Sequence, residues 1–186
     1  MAQITLKGNP VQTNGELPKI GAKAAGFRLV GSDLSEKTLD NYSGKKKVLN
    51  IFPSVDTGTC AMSVRQFNER AASYPNTVVL NISADLPFAQ KRFCAAEGIE
   101  NVEALASFRS AFSKEWGLEI ADGPLKGLCS RCVVVLDEQD NVDILEIDNN
   151  AVRDSQIKRL TKLRASRDES AVNEALDAIY QAAVSG

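Results

Sequence analysis

Apolar residues in this chain recur in three rhythms, and each rhythm predicts a different element. Continuous apolar runs bounded by polar turns occur at "KKVLNIF" and "TVVLNIS", the pattern of strands covered on both faces of a sheet. Helical spacing appears in "CAMSVRQFNERAASY", where Ala61, Val64, Phe67 and Ala71 fall on one side. Near-alternation marks the N-terminus, where "QITLKGNPVQT" predicts two short strands around a Gly8-Asn9 turn. Between these, "GFRLVGSDLSEKTLDNYSGK" predicts short extended pieces separated by glycines. "ADLPFAQKRFCAAEG" predicts a helix capped by Asp85, with Pro87 in its first turn and Gly98 as its stop.

Further along, a short strand is expected over Val102 to Ala106 and a helix around Phe108 to Trp116. "CVVVLDE" and "NVDILEID" flank a "QDN" turn and predict a hairpin. The closing "DESAVNEALDAIYQAAV" predicts a helix with Val172, Leu176, Ile179 and Ala183 along one face. Strands and helices alternate in the middle, with hairpins at both ends. The expected fold is therefore α/β, a thioredoxin-like arrangement with a mixed central β-sheet flanked by helices and an N-terminal β-hairpin. One stretch interrupts the rhythm: six arginines or lysines lie between Arg153 and Arg167, so residues 150–168 are expected to form a basic surface insertion, either solvated or docking a partner.

With 186 residues, one domain with a substantial core is expected without disulfide staples. A net charge of −2 argues against nucleic-acid binding as the main task, and no apolar run approaches the roughly 20 residues of a membrane span. The N-terminus lacks the apolar core of a signal peptide, so the expected location is cytoplasmic. In that compartment Cys60, Cys94, Cys129 and Cys132 are small core residues or working thiols rather than permanent disulfides. The sequence contains no histidine, which excludes Ser-His-Asp and Cys-His triads and histidine-bound metals. A reactive cysteine must then be activated by an arginine, a lysine or a helix N-terminus.

"NIFPSVDTGTC" offers such a cysteine. The strand ends at Phe52, Pro53 fixes the backbone, and Thr57 or Thr59 can cap the next helix, which places Cys60 in its first turn. Free backbone N–H groups and the positive end of the helix dipole favour negative charge on a sulfur there. An ordinary strand-to-helix corner with a buried cysteine has the same letters, and the corner alone leaves both readings open.

"PSVDTGTC" resembles the P-x-x-x-T-x-x-C signature of the peroxiredoxins, and the blocks around it resemble the thiol peroxidase subfamily, whose members are atypical two-cysteine enzymes. Those blocks are "KVLNIFPSVDTGTCAMSVRQFN", "NTVVLNISADLPFAQKRFCAAEG" and "IADGPLKGLCSRCVVVLDEQDNV". The resemblance extends from the N-terminal hairpin to about Val142. It implies that Cys60 is the peroxidatic cysteine, that Thr57 bonds the sulfur and the peroxide oxygen, and that Pro53 shields the pocket. It also implies that Arg131 supplies fixed positive charge and that Cys94 resolves the oxidised Cys60 by forming a disulfide with it. A hydroperoxide substrate, thioredoxin as reductant and a homodimer follow from the same resemblance, with no cofactor and no metal.

Cys129 and Cys132 depart from that pattern. "CSRC" is a C-x-x-C, but Cys132 opens a strand, whereas a thioredoxin-type motif opens a helix. Zinc would need two further ligands, and drafting Cys60 and Cys94 would abolish peroxidase chemistry. Strand alternation expects Cys132 in the core and Cys129 at the pocket rim, as a bystander or an auxiliary thiol. A disulfide oxidoreductase acting through "CSRC" and a non-catalytic redox sensor switching through Cys60 and Cys94 are the competing functions.

Overall fold

The computed structural model describes residues 1–6 and 9–147. The basic segment from Arg153 to Arg167 and the expected C-terminal helix lie outside the described residues.

Strands β1 (Gln3–Leu6) and β2 (Asn9–Gln12) form a separate antiparallel pair, with Leu6 opposite Asn9. The main sheet is built from β3 (Arg28–Gly31), β4 (Glu36–Thr38), β5 (Lys46–Ile51), β6 (Thr77–Ser83), β7 (Glu103–Ala106), β8 (Cys132–Leu136) and β9 (Val142–Ile147). Its order is β4-β3-β7-β6-β5-β8-β9. The central β5, β6 and β7 run parallel, and β3, β4, β8 and β9 attach antiparallel at the two flanks. Three α-helices are described: α1 (Gly58–Ala71), α2 (Pro87–Glu97) and the short α3 (Phe112–Glu115).

Apolar runs become central strands because both faces of the sheet are covered. On one face Leu49, Ile51, Leu80, Ile82, Cys132 and Val134 pack with Phe27, Phe112 and Trp116 and with Ile4 and Val11 of the hairpin. On the other face Val48, Val79, Val133 and Val135 receive Phe67 from α1. The period-2 alternation of strands sorts neighbouring residues of one apolar run into these two clusters. At roughly 25 cal/mol per Å² of apolar surface buried, each large side chain so covered contributes about 1.5–3 kcal/mol against chain entropy.

Two details differ from the sequence expectation. The helix expected over Phe108 to Trp116 is confined to the single turn Phe112–Glu115, because Phe108 and Arg109 form a turn and Ala111 a bend instead. The cap of α2 is Leu86 rather than Asp85. Gly98 ends α2 as expected, in the left-handed conformation (φ 65°) that glycine adopts without a Cβ penalty.

The sequence also gives no warning that Lys47, inside an apolar strand, is completely buried. Its ammonium pairs with Asp140 in the β8–β9 turn, and Lys23 approaches the same carboxylate from outside.

Candidate active site

The C-terminal ends of β5 and β6 converge on the corner that carries Cys60. Pro53 is buried two residues after β5, and Thr57 is the N-cap of α1 in an extended conformation (φ −96°, ψ 140°). The first helical hydrogen bond runs from the Ala61 N–H to the Thr57 carbonyl at 2.9 Å. Cys60 is therefore the third residue of the helix, in the turn whose N–H groups lack intrahelical acceptors. Its side chain has no accessible surface and sits among Phe52, Val55, Val64 and Ile99.

Cys94 belongs to the same apolar cluster. It is half-buried on α2 and packs there beside Phe93 and Val102. All four cysteines are free thiols. Burial raises the pKa of the Cys94 thiol above its ordinary value, with a backbone hydrogen bond opposing the shift.

Arg131 reaches this end of the sheet through strand register. Cys132 pairs with Ile51 across β8 and β5, so Arg131, the residue before it, lies at the end of β5 from which the Pro53 corner departs. Arg131 itself lies outside β8 and is half-buried.

Thr57 differs in detail from the expectation. Its hydroxyl donates to the Ser54 carbonyl at 3.1 Å, and among the described residues no hydrogen bond joins it to the Cys60 sulfur. The bond closes the turn before α1 and leaves the lone pairs of the hydroxyl oxygen unused by that donation.

Asp85, expected to be a helix cap, anchors the corner instead. Its carboxylate accepts from the Ser54 hydroxyl (2.8 Å), the Val55 N–H (2.7 Å) and the Ser83 hydroxyl (2.8 Å). Gln90 of α2 donates to the Ser83 hydroxyl at 3.0 Å, and Ser107 donates to the Ser83 carbonyl at 3.1 Å. Sequence reasoning missed this role because an Asp before a Leu-Pro helix start resembles a cap. Ser83 at the end of β6 and Ser54 three residues past β5 were the available signal. A second buried polar chain steadies α1: Ser63 donates to Asn50 (3.0 Å), and Asn50 donates to Asn81 (2.8 Å) on the neighbouring strand.

Cys129 is not at the pocket rim. It is 1% exposed within the main core cluster, and Cys132 is 2% exposed in the same cluster. The expectation failed because the chain from Cys129 to Cys132 is not a regular strand. Cys129 forms a single bridge with Glu119, while Ser130 and Arg131 lie outside β8. Burial pushes the Cys129 thiol up to about 11, only partly offset by Ser107, whose hydroxyl lies 4.0 Å from the sulfur. Burial pushes Cys132 further in the same direction. Two buried protonated thiols are poor nucleophiles, which counts against a dithiol oxidoreductase acting through "CSRC".

Among the described residues, no group of three or more cysteines and carboxylates could hold a metal ion, and no helix is long and apolar enough to cross a membrane.

Comparison with known proteins gives the same direction as the geometry. The redoxin family model matches residues 16–161. The thiol peroxidases of Mycobacterium bovis and Mycobacterium tuberculosis are each 54% identical over 147 residues, covering 79% of this chain and 88% of theirs. Among solved structures, a peroxiredoxin-like protein from Aquifex aeolicus superposes with TM-score 0.75 at 35% identity, covering 79% of this chain and 86% of that one. The thiol peroxidase from Chromobacterium violaceum shares the fold, with TM-score 0.72 at 21% identity over 86% of this chain and 98% of that one. A buried cysteine in the first turn of a helix, a second cysteine in its apolar cluster and these similarities agree: the chain belongs to the redoxin family, among the thiol peroxidases of the peroxiredoxins.

Proposed function

We propose that the chain reduces hydrogen peroxide and organic hydroperoxides with Cys60 as the peroxidatic thiol, Cys94 as the resolving thiol and thioredoxin as the reductant. The observation that carries this reading is the placement of both thiols in one apolar cluster, with Cys60 in the first turn of α1.

The chemistry follows from residue types and positions. The first-turn N–H groups and the positive end of the helix dipole stabilise negative charge that develops at the Cys60 position. The Cys60 sulfur attacks the distal oxygen of the hydroperoxide, the O–O bond breaks, and the leaving alkoxide or hydroxide takes a proton to depart as alcohol or water. Arg131 provides positive charge for the oxygen pair as the bond breaks, the Thr57 hydroxyl accepts from or donates to the peroxide, and Pro53 excludes water. Cys60 is then a sulfenic acid. The Cys94 thiol attacks it, the S–S bond forms, and the sulfenic oxygen leaves as water. Thioredoxin dithiol returns both cysteines to thiols by two exchanges and becomes oxidised itself.

Cys60 and Cys94 sit on two different helices, and a disulfide needs their Cα atoms about 4.4–6.8 Å apart, so the proposal includes local unwinding of α1 and α2 during resolution. The Cys129 thiol, buried and protonated, is a bystander in this cycle. A homodimer in the cytoplasm completes the proposal and rests on the likeness to thiol peroxidases alone.

The test is NADPH oxidation coupled through thioredoxin reductase and thioredoxin. Peroxide-dependent turnover is expected for the native chain and for Cys129→Ser, with loss for Cys60→Ser. Turnover that survives Cys60→Ser and is lost in Cys129→Ser would overturn the assignment.

A further inference from the structure

The helix that carries Cys94 is lightly held. Only Pro87 and Gln90 of α2 are fully buried, while Phe88 is exposed. A cleft of about 340 Å³ opens beside it, lined among others by Lys91, Cys94, Glu100 and Asn101. Few buried apolar contacts and an open flank describe a segment that opens at low free-energy cost.

The chain leaving α2 is fixed from the other side, on the helix of Cys60. The side-chain carbonyl of Asn68, two turns beyond Cys60 on α1, accepts from the N–H of Glu100 (3.0 Å) and from the N–H of Asn101 (2.8 Å). The Asn101 side-chain amide donates in return to the Asn68 backbone carbonyl at 3.1 Å. Between this knot and Cys94, Ile99 is buried in the cluster that contains Cys60. Along α2 itself the ties differ in kind. Arg65 pairs with Glu97 (2.7 Å) and lies over the Phe93 ring, and Arg92 approaches Asp56 (3.6 Å), all near the surface. Exposed pairs of this sort contribute little and yield readily.

We propose that Asn68 is a positioning residue for disulfide formation: it pins the exit of α2 to α1, so that when α2 unwinds the loosened chain is tethered close to Cys60. The inference rests on the Cys60–Cys94 reading above. A chain anchored six residues beyond Cys94 at Glu100 keeps the thiol at high effective concentration over the sulfenic acid. Without the anchor, the opened ensemble widens and capture slows. A slower capture lets a second hydroperoxide oxidise the Cys60 sulfenic acid to sulfinic acid, releasing one alcohol or water per oxygen transferred.

The test is rapid acid quench of the full chain with mass spectrometry, following Cys60 sulfenic acid, disulfide and sulfinic acid over time. Asn68→Ala removes both accepted bonds, and Asn68→Asp keeps an acceptor in the same place. For Asn68→Ala we expect sulfenic acid formation within about twofold of native, with disulfide formation about three- to tenfold slower, as fits the loss of two exposed hydrogen bonds each at the weak end of the usual net range. Sulfinic acid should accumulate at correspondingly lower peroxide, and Asn68→Asp should restore the native partition. Disulfide formation in Asn68→Ala that is unchanged, faster, or slowed in proportion to the first step overturns the inference. If the native chain itself forms no Cys60–Cys94 bridge, the reading beneath it fails instead.

Discussion

Replacing Asp85 with alanine should damage the corner more than any other single polar change on α2 or its approach. The carboxylate accepts three hydrogen bonds, from the Ser54 hydroxyl, the Val55 N–H and the Ser83 hydroxyl. Val55 and Ser83 are buried, so neither donor finds water easily once the carboxylate is gone. A hydrogen bond to a charged group contributes about 1.5–3 kcal/mol, and an orphaned buried donor costs about 1–3 kcal/mol. Ser54 is only half-buried and recovers water, and relaxation of the loop offsets part of the rest. The expected loss is therefore about 2–4 kcal/mol, a large share of an ordinary domain stability of about 5–15 kcal/mol. The conservative change Asp85→Asn keeps one oxygen where two of the three donors point, since Val55 and Ser83 share Oδ2, and should cost about 1 kcal/mol. Urea unfolding under reducing conditions, with the slope checked for constancy, measures both. The corner from Pro53 to Thr57 hangs on these bonds, so peroxide-dependent turnover should fall at least about tenfold in Asp85→Ala and less in Asp85→Asn. A loss below about 0.5 kcal/mol with full turnover in Asp85→Ala, or equal losses in the two variants, would refute this reasoning.

Other parts of the fold make separate demands. Asp140→Asn, which tolerates the left-handed backbone there, strands the fully buried Lys47 ammonium, and chemical denaturation should show a loss of about 3–5 kcal/mol, whereas adding Lys47→Met should recover much of it. Cys129 holds its proton up to about 11 when folded, against an ordinary value of 9.0. Its raised folded value means its contribution is fully present below about pH 9 and is lost as pH rises toward 11. From pH 8 to 10 this one thiol should lower stability by roughly 1 kcal/mol, a slope that Cys129→Ala should reduce in denaturation curves taken across that range. Iodoacetamide at about pH 8 should leave Cys129 and Cys132 unlabelled in the folded chain and label both in urea, as peptide mapping would show.

The parts of the fold read correctly from sequence share one property: their signal is local. Runs such as "KKVLNIF" are strands because sheet and helices cover both faces, and Gly98 stops α2 because only its own φ matters. The placement of Cys60 after Thr57 at a helix start was legible for the same reason. What was not legible depends on distant partners. Asp85 reads as a cap until Ser54, some thirty residues earlier, turns out to face it. The burial of Lys47 has no signal in its own strand, because its partner Asp140 stands about ninety residues later in the β8–β9 turn. Cys129 was placed at the rim by carrying strand alternation through Ser130 and Arg131, where the chain is not a strand. Proximity of Cys60 and Cys94 in one cluster likewise comes from the packing of α1 and α2 at one end of the sheet, which no spacing encodes.

The central claim is that Cys60 takes the oxygen and Cys94 resolves it, while the thiols flanking Arg131 stay passive. Peptide mass mapping of the native chain after one equivalent of hydrogen peroxide tests this directly. A Cys60–Cys94 bridge with Cys129 and Cys132 still reduced is expected. A Cys129–Cys132 bridge with Cys60 still a free thiol would contradict it.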